Sequence, residues 1–243
     1  MRPSYDLDKI KFATDRSTFE RAVGLYEDGK VTQFKNELDG FSAIVLGTKP
    51  YRVFVLVQHY DRGSCECYLG QKDTLCKHMV ALAIWAVTGG KPLTENDKLI
   101  IDKPSCSGRL GNLTNQDLAA IKKAITGAMR YIKAYAGPSR IWFAYQNSLS
   151  EGCNRLSKIV SDLPVSKQTA EFLVEMLLRL DDKLSRGGVD DSDGTVGGFI
   201  EETVGVLKEY AKLDSECIRA FHKLKDRETC FGWEQPLLEL VEN

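Results

Sequence analysis

The sequence predicts an α+β chain in two parts: an N-terminal three-stranded β-meander with short helices, then an all-α helical bundle or helix-pair array. Three observations carry this. Three strand-like runs, residues 31–37, 41–47 and 51–58, follow one another with the hairpin-type separators Asp39-Gly40 and Thr48-Lys49-Pro50. A nine-residue apolar run at 79–87 comes next. Beyond a stretch at 89–114 dense in Gly, Pro, Ser, Asn and Thr, the pattern turns helical to the end.

Each element has its own signal. Residues 17–26 place Phe19, Ala22, Val23 and Tyr26 at i, i+3, i+4 and i+7, one helix face, and Gly29 stops it. In the third strand Val53, Val55 and Val57 share one side of the pleat, with Arg52, Phe54, Leu56 and Gln58 on the other. A meander needs a cover for its apolar face, and 79–87 supplies one as a short buried helix ended by Gly89-Gly90. The domains expected are thus 1–88, a linker at 89–114 and a helical domain at 115–243. In the last, helices are expected at 115–136, ending at Gly137-Pro138, and at 139–163, ending at Pro164. Residues 166–185 carry Phe172, Leu173, Met176, Leu177 and Leu180 on one stripe and end at Gly187-Gly188. Helices at 196–213, 215–224 and about 234–241 complete an array with short connections.

Composition excludes several classes. With 43% hydrophobic and 28% charged residues the chain is neither disordered nor collagen-like. A net charge of −1 excludes a globally basic nucleic-acid binder, although charge is unevenly spread. Residues 1–100 hold 14 basic and 13 acidic side chains, 101–160 hold 9 and 3, and 161–243 hold 10 and 18. Residues 1–12 contain Arg, Asp and Lys and no apolar targeting core, and the nine-residue apolar run is less than half of the ~20 that span a bilayer. A cytoplasmic protein without a membrane partner is expected. Seven cysteines cannot all pair in disulfides, and reduced thiols there favour metal ligation.

The strongest chemical signal is Cys65-Glu66-Cys67, eight residues, then Cys76-Lys77-His78. It gathers three of seven cysteines and one of three histidines. Zn²⁺ takes four such donors in a tetrahedron. A Cys-x-Cys pair at a strand end puts both sulfurs on one face. The Cys-x-His pair falls at the mouth of the next helix, whose N-terminal amides favour thiolate. Residues 68–75, with Gly70, form the loop between them. One imidazole among the donors favours zinc over an iron–sulfur cluster. Four protein ligands leave no open position for catalysis, so one structural zinc is expected and no enzyme.

This arrangement, preceded by a meander and followed by an apolar helix, resembles the SWIM zinc finger. Tyr26, Gly29, Val31, the turn at Gly47, Tyr51, Val53 and Val55 fall where that family has its own helix, turn and strand residues. The run Cys76-Lys77-His78-Met79-Val80-Ala81 is typical of its tail, and the resemblance spans residues 15–88. It implies that Cys65, Cys67, Cys76 and His78 bind zinc in a DNA-binding or protein-interaction module. Residues 189–194 with Gly197-Gly198 resemble an uncharacterised helical region that accompanies SWIM fingers in bacterial proteins. That implies no activity, but it points to a stand-alone prokaryotic type.

Other features are weighed beside this. Arg52, Lys72 and Lys77 lie near the finger as candidate phosphate contacts, partly cancelled by Glu66 and Asp73. Lys122, Lys123, Arg130, Lys133 and Arg140 interleave with Tyr131, Tyr135, Trp142 and Tyr145, and the spacing of Lys123, Arg130 and Lys133 lets them share a helix face. Cations and aromatics so mixed suit nucleic acid; charge runs more often mark a solvated face over core aromatics, and here the segment could also dock onto the acidic 161–243. Asp190, Asp191 and Asp193 before Gly194 miss the calcium-loop register, because Ile200 stands at the twelfth position; a helix cap and turn is expected. His59 and His222 read as surface and structural residues, and Cys106, Cys153, Cys217 and Cys230 have no paired spacing. No phosphate loop, dinucleotide fingerprint or nucleophile elbow is present, and no small-molecule substrate is evident. The expectation is a non-enzymatic nucleic-acid-binding module for DNA; the alternative is a protein–protein adaptor in which zinc is purely structural.

Overall fold

The computed structural model describes residues 2–138 and 142–242, with the side chain of Phe143 set aside. The chain divides into two compact units, one ending at Ile100 and one beginning at Ile101.

The N-terminal unit contains α1 (Leu7–Ala13), α2 (Arg16–Glu27), β1 (Val31–Asn36), β2 (Gly40–Leu46), β3 (Pro50–Leu56), β4 (Gly63–Cys65), α3 (Lys77–Thr88) and α4 (Glu95–Lys98). Among the described residues the strands form one antiparallel sheet in the order β1-β2-β3-β4. The three-stranded meander expected is therefore a four-stranded sheet. The fourth strand is Gly-Ser-Cys, too short to show alternation. Register places Phe41 opposite Val55, Ala43 opposite Val53, and Val53 opposite Cys65. Phe41, Ala43, Val45, Val53, Val55 and Cys65 are all buried.

Helix α3 covers that face. It contacts β2 and β3 and also α1 and α2, so it is enclosed on several sides. Such a helix must be apolar all round, which explains the unbroken run from Met79 to Ile84, every residue buried. Burying Leu82 and Ile84, both 0% exposed, contributes about 1.5–3 kcal/mol each. Gly89 at φ +64° closes the helix by donating its N–H to the Trp85 carbonyl, as the Gly-Gly stop leads one to expect. Helix α1 has too few turns to show periodicity. It is started by Asp6, which accepts the Lys9 N–H at 2.7 Å, and it buries Ile10 and Phe12.

Residues 89–114, expected as a linker, are held at both ends. Leu93 lies in the first core, Thr94 and Asp97 form a capping box, and Lys98 pairs with Glu27 at 3.1 Å. Further on, the Ser107 hydroxyl donates to the Leu163 carbonyl at 2.6 Å, and Leu110 bridges Val165. The division between the units falls inside this segment.

The C-terminal unit contains α5 (Asn115–Ala128), α6 (Trp142–Asp162), α7 (Lys167–Ser185), α8 (Thr195–Leu213), a 3₁₀ segment (Ser215–Leu224) and α9 (Gln235–Glu242). Thr114 and Ser166 cap α5 and α7 with reciprocal capping boxes. The core joins Leu149 and Leu156 of α6, Leu173, Leu177 and Leu180 of α7, and Ile200 and Leu207 of α8. Two expectations differ. Residues 215–224 wind as 3₁₀ rather than α. Helix α5 stops at Ala128, eight residues before the predicted end. Past that point the backbone bonds elsewhere: the Ile132 carbonyl accepts from Lys183 Nζ at 2.6 Å, the Lys133 carbonyl from Tyr145 at 2.9 Å, and the Tyr135 N–H donates to Gly188 at 2.9 Å. Among the described residues no helix is long and apolar enough to cross a membrane.

Candidate metal centre

The sheet and α3 converge on four side chains. Cys65 ends β4 and faces α3 through its pairing with Val53. Glu66 points the other way, where its carboxylate accepts the Arg52 N–H at 3.0 Å, and Cys67 turns back inward. The loop then tightens over the sulfurs. The Gly70 N–H points at Cys67 Sγ at 3.4 Å, and the Gln71 N–H donates to the Cys67 carbonyl at 2.9 Å. Gly70 lies so close to Cys65 that an added Cβ would stand 2.5 Å from the Cys65 Cβ. Cys76 is the extended N-cap of α3, and His78 lies in its first turn.

Cys65, Cys67, Cys76 and His78 are all buried, and their ligand atoms lie within 4.8 Å of one another. His78 Nδ1 is 3.8 Å from Cys65 Sγ and 3.9 Å from Cys76 Sγ. A zinc tetrahedron with ordinary Zn–S and Zn–N lengths has edges of about 3.5–3.8 Å; the two His78 distances lie within a few tenths of an ångström of that, and the widest separation in the group, up to 4.8 Å, would close by about 1 Å around an ion. The other ring nitrogen, Nε2, is buried with no hydrogen-bond partner. The Tyr51 ring (centroid 4.7 Å) and the backbone of Gly47 pack against the imidazole; a Cβ on Gly47 would stand 2.7 Å from Nε2. Orientation of the imidazole thus rests on packing.

The thiols share protons. Cys76 is lowered to about 4, first by the hydrogen bond from Cys65 and then by that from His78, against burial. Cys65, the donor in that pair and itself buried, is pushed well up. Holding all three sulfurs as thiolates in one buried pocket would need a cation beside them. The chemistry of this donor set fits one metal ion, which Cys65, Cys67, Cys76 and His78 could hold between them.

The remaining sequence-predicted residues are not brought together. Arg52 and Lys72 are exposed and Lys77 is half-buried. Arg52 lines a groove on the open face of the sheet with Glu37, Glu66 and Asp73, whereas Lys77 lines a separate cavity beside the ligands. Lys122, Lys123, Arg130 and Lys133 are exposed, but Arg130 and Lys133 lie beyond the end of α5, so they share no helix face with Lys123. The aromatics interleaved with them have partners within the unit, and all but Tyr145 are half-buried. Tyr145 is buried, Tyr135 rests on it at 4.8 Å, Arg155 sits over Tyr131, and the Trp142 indole donates to Asp190 at 3.1 Å. Arg140 lies outside the described residues.

The acidic loop before α8 caps that helix. Asp191 accepts the N–H groups of Val196 at 2.7 Å and Gly197 at 2.8 Å, Asp193 accepts from Thr195, and Asp190 binds Ser192 and Trp142. His59 and His222 are exposed. Among the described residues, Cys106, Cys153, Cys217 and Cys230 join no ligand group. Neither a family model, nor a curated protein, nor a solved structure matches the chain.

What the sequence missed here is the backing of the site. Gly47, Gly70 and Tyr51 carry no ligand chemistry; only their place in the turn and loop motifs marks them.

Proposed function

We propose that residues 15–88 form a SWIM-type zinc finger, in which Cys65, Cys67, Cys76 and His78 hold one structural Zn²⁺, within a non-enzymatic nucleic-acid-binding protein of the cytoplasm. The observation that carries this reading is the closed, buried three-cysteine, one-histidine donor set at the junction of sheet and helix. Four protein ligands fill a tetrahedron, which leaves no position for water or substrate. Free thiols as ligands suit a reducing compartment. Nucleic acid as the partner rests on the resemblance of the motif and on the exposed Lys72 and half-buried Lys77 beside it.

The test is a titration of fluorescent DNA and RNA with zinc-loaded protein over a range of salt. Binding that falls steeply with salt and is lost after chelation supports the reading. No binding at low salt by protein carrying one zinc rejects it, and capture of a protein partner that survives nuclease treatment then establishes the adaptor role.

A further inference from the structure

The finger separates its charges. On the open face of the sheet, a groove of about 830 Å³ is lined by Lys35 and Arg52 but also by Glu37, Glu66 and Asp73. Beside the ligands, a cavity of about 230 Å³ is lined by Arg21, Lys77, Thr48, Tyr51, Tyr68 and Leu69, with Cys67, Cys76 and His78 completing its wall. Among the described residues its lining contains no carboxylate. Two further cations flank it: Lys49 Nζ sits 5.7 Å from the Tyr51 ring, and Lys72 Nζ lies 4.2 Å from the Tyr68 ring and donates to its hydroxyl. Zinc with three thiolates and a neutral imidazole would carry about one negative charge, which one of the two lining cations, Arg21 and Lys77, offsets, leaving the other for an anion.

Tyr68 is the second observation. It is 70% exposed, and Leu69 beside it is 40% exposed. Lys72 covers part of the Tyr68 ring, and the remainder faces solvent. The aromatics of the basic centre, by contrast, are engaged inside the second unit.

Resting on the nucleic-acid reading above, we propose that this cavity is a single-stranded nucleic-acid subsite, with a base stacked on Tyr68 and the adjoining phosphate between Arg21 and Lys77. Stacking platforms beside cations bind single strands without reading sequence, because every base has a π-face. A duplex keeps its bases stacked on one another, so the subsite discriminates against it.

The experiment measures the anisotropy of a fluorescent oligothymidylate and oligouridylate, and of a duplex of equal length, with full-length zinc-loaded protein. Tyr68→Ala is expected to weaken single-strand binding about 5-fold or more, with zinc content unchanged. Arg21→Glu with Lys77→Glu is expected to weaken it further and to flatten the salt dependence by about 0.7 for each lost phosphate contact. Unchanged binding by a Tyr68→Ala protein that retains its zinc overturns the subsite. Loss of binding only on reversal of Lys122 and Lys123 also overturns it, and leaves the nucleic-acid reading standing. Tighter binding of the duplex contradicts the stacking role. Absence of binding by the unaltered protein overturns both.

Discussion

At the scale of single residues, the ligands and the groups that hold them behave differently under substitution. Cys67→Ser removes a thiolate ligand; the expected result is loss of metal and of the N-terminal unit's cooperative melting, read by metal content and calorimetry. Gly47→Ala places a methyl against the His78 ring, 2.7 Å from Nε2 in the unrelaxed structure. Disturbing the support of a ligand lowers metal affinity about 10–100-fold, and competition with a chromogenic chelator measures it. Unaltered affinity would show that the ring has room to move. Protons and zinc compete for the same sulfurs, so zinc retention falls as pH falls. The cluster of Cys65, Cys67, Cys76 and His78 was legible in the sequence because its spacing is the one that a four-donor metal site requires. The backing of His78 was not, since Gly47 and Tyr51 meet it only through the register of β2 with β3.

Elements show where local pattern suffices and where it fails. The unbroken apolar run of α3 announced a buried helix, and Gly89 marked its end. Leu82→Ala in that helix is expected to cost about 2–5 kcal/mol, lowering the first unit's transition and leaving the second in place. β4 stayed hidden because Gly63, Ser64 and Cys65 become a strand only by pairing with β3. The sequence carries helix α5 as far as the Gly137-Pro138 stop, yet the Ile132 carbonyl and the Tyr135 N–H are claimed by Lys183 and Gly188. The loop before α8 is a cap, so Asp191→Ala is expected to destabilise the second unit by about 0.5–2 kcal/mol, and calcium to leave its melting unchanged. A calcium-dependent rise in that transition contradicts the capping role.

For the molecule as a whole, near-neutral charge conceals a division of labour. The acidic end supplies Asp190, whose carboxylate accepts the Trp142 indole N–H and whose backbone N–H donates to the Tyr145 hydroxyl, inside one unit. Of the aromatics that made the basic centre resemble a nucleic-acid surface, Tyr145 is buried and Tyr131, Tyr135 and Trp142 are half-buried; the sequence had no means of telling a ring in the core from a ring on the surface. The two units have separate cores, so two thermal transitions are expected, of which only the one from the metal-bearing unit responds to zinc. The first unit is a domain of about 100 residues with a single core, so a metal bound there would add its binding free energy to folding. The most direct measurement is elemental analysis of the full-length protein combined with calorimetry before and after chelation. One zinc per chain is expected, with a first transition that collapses on chelation while the second stays in place. A metal-free protein whose first transition is intact and indifferent to chelator would contradict it.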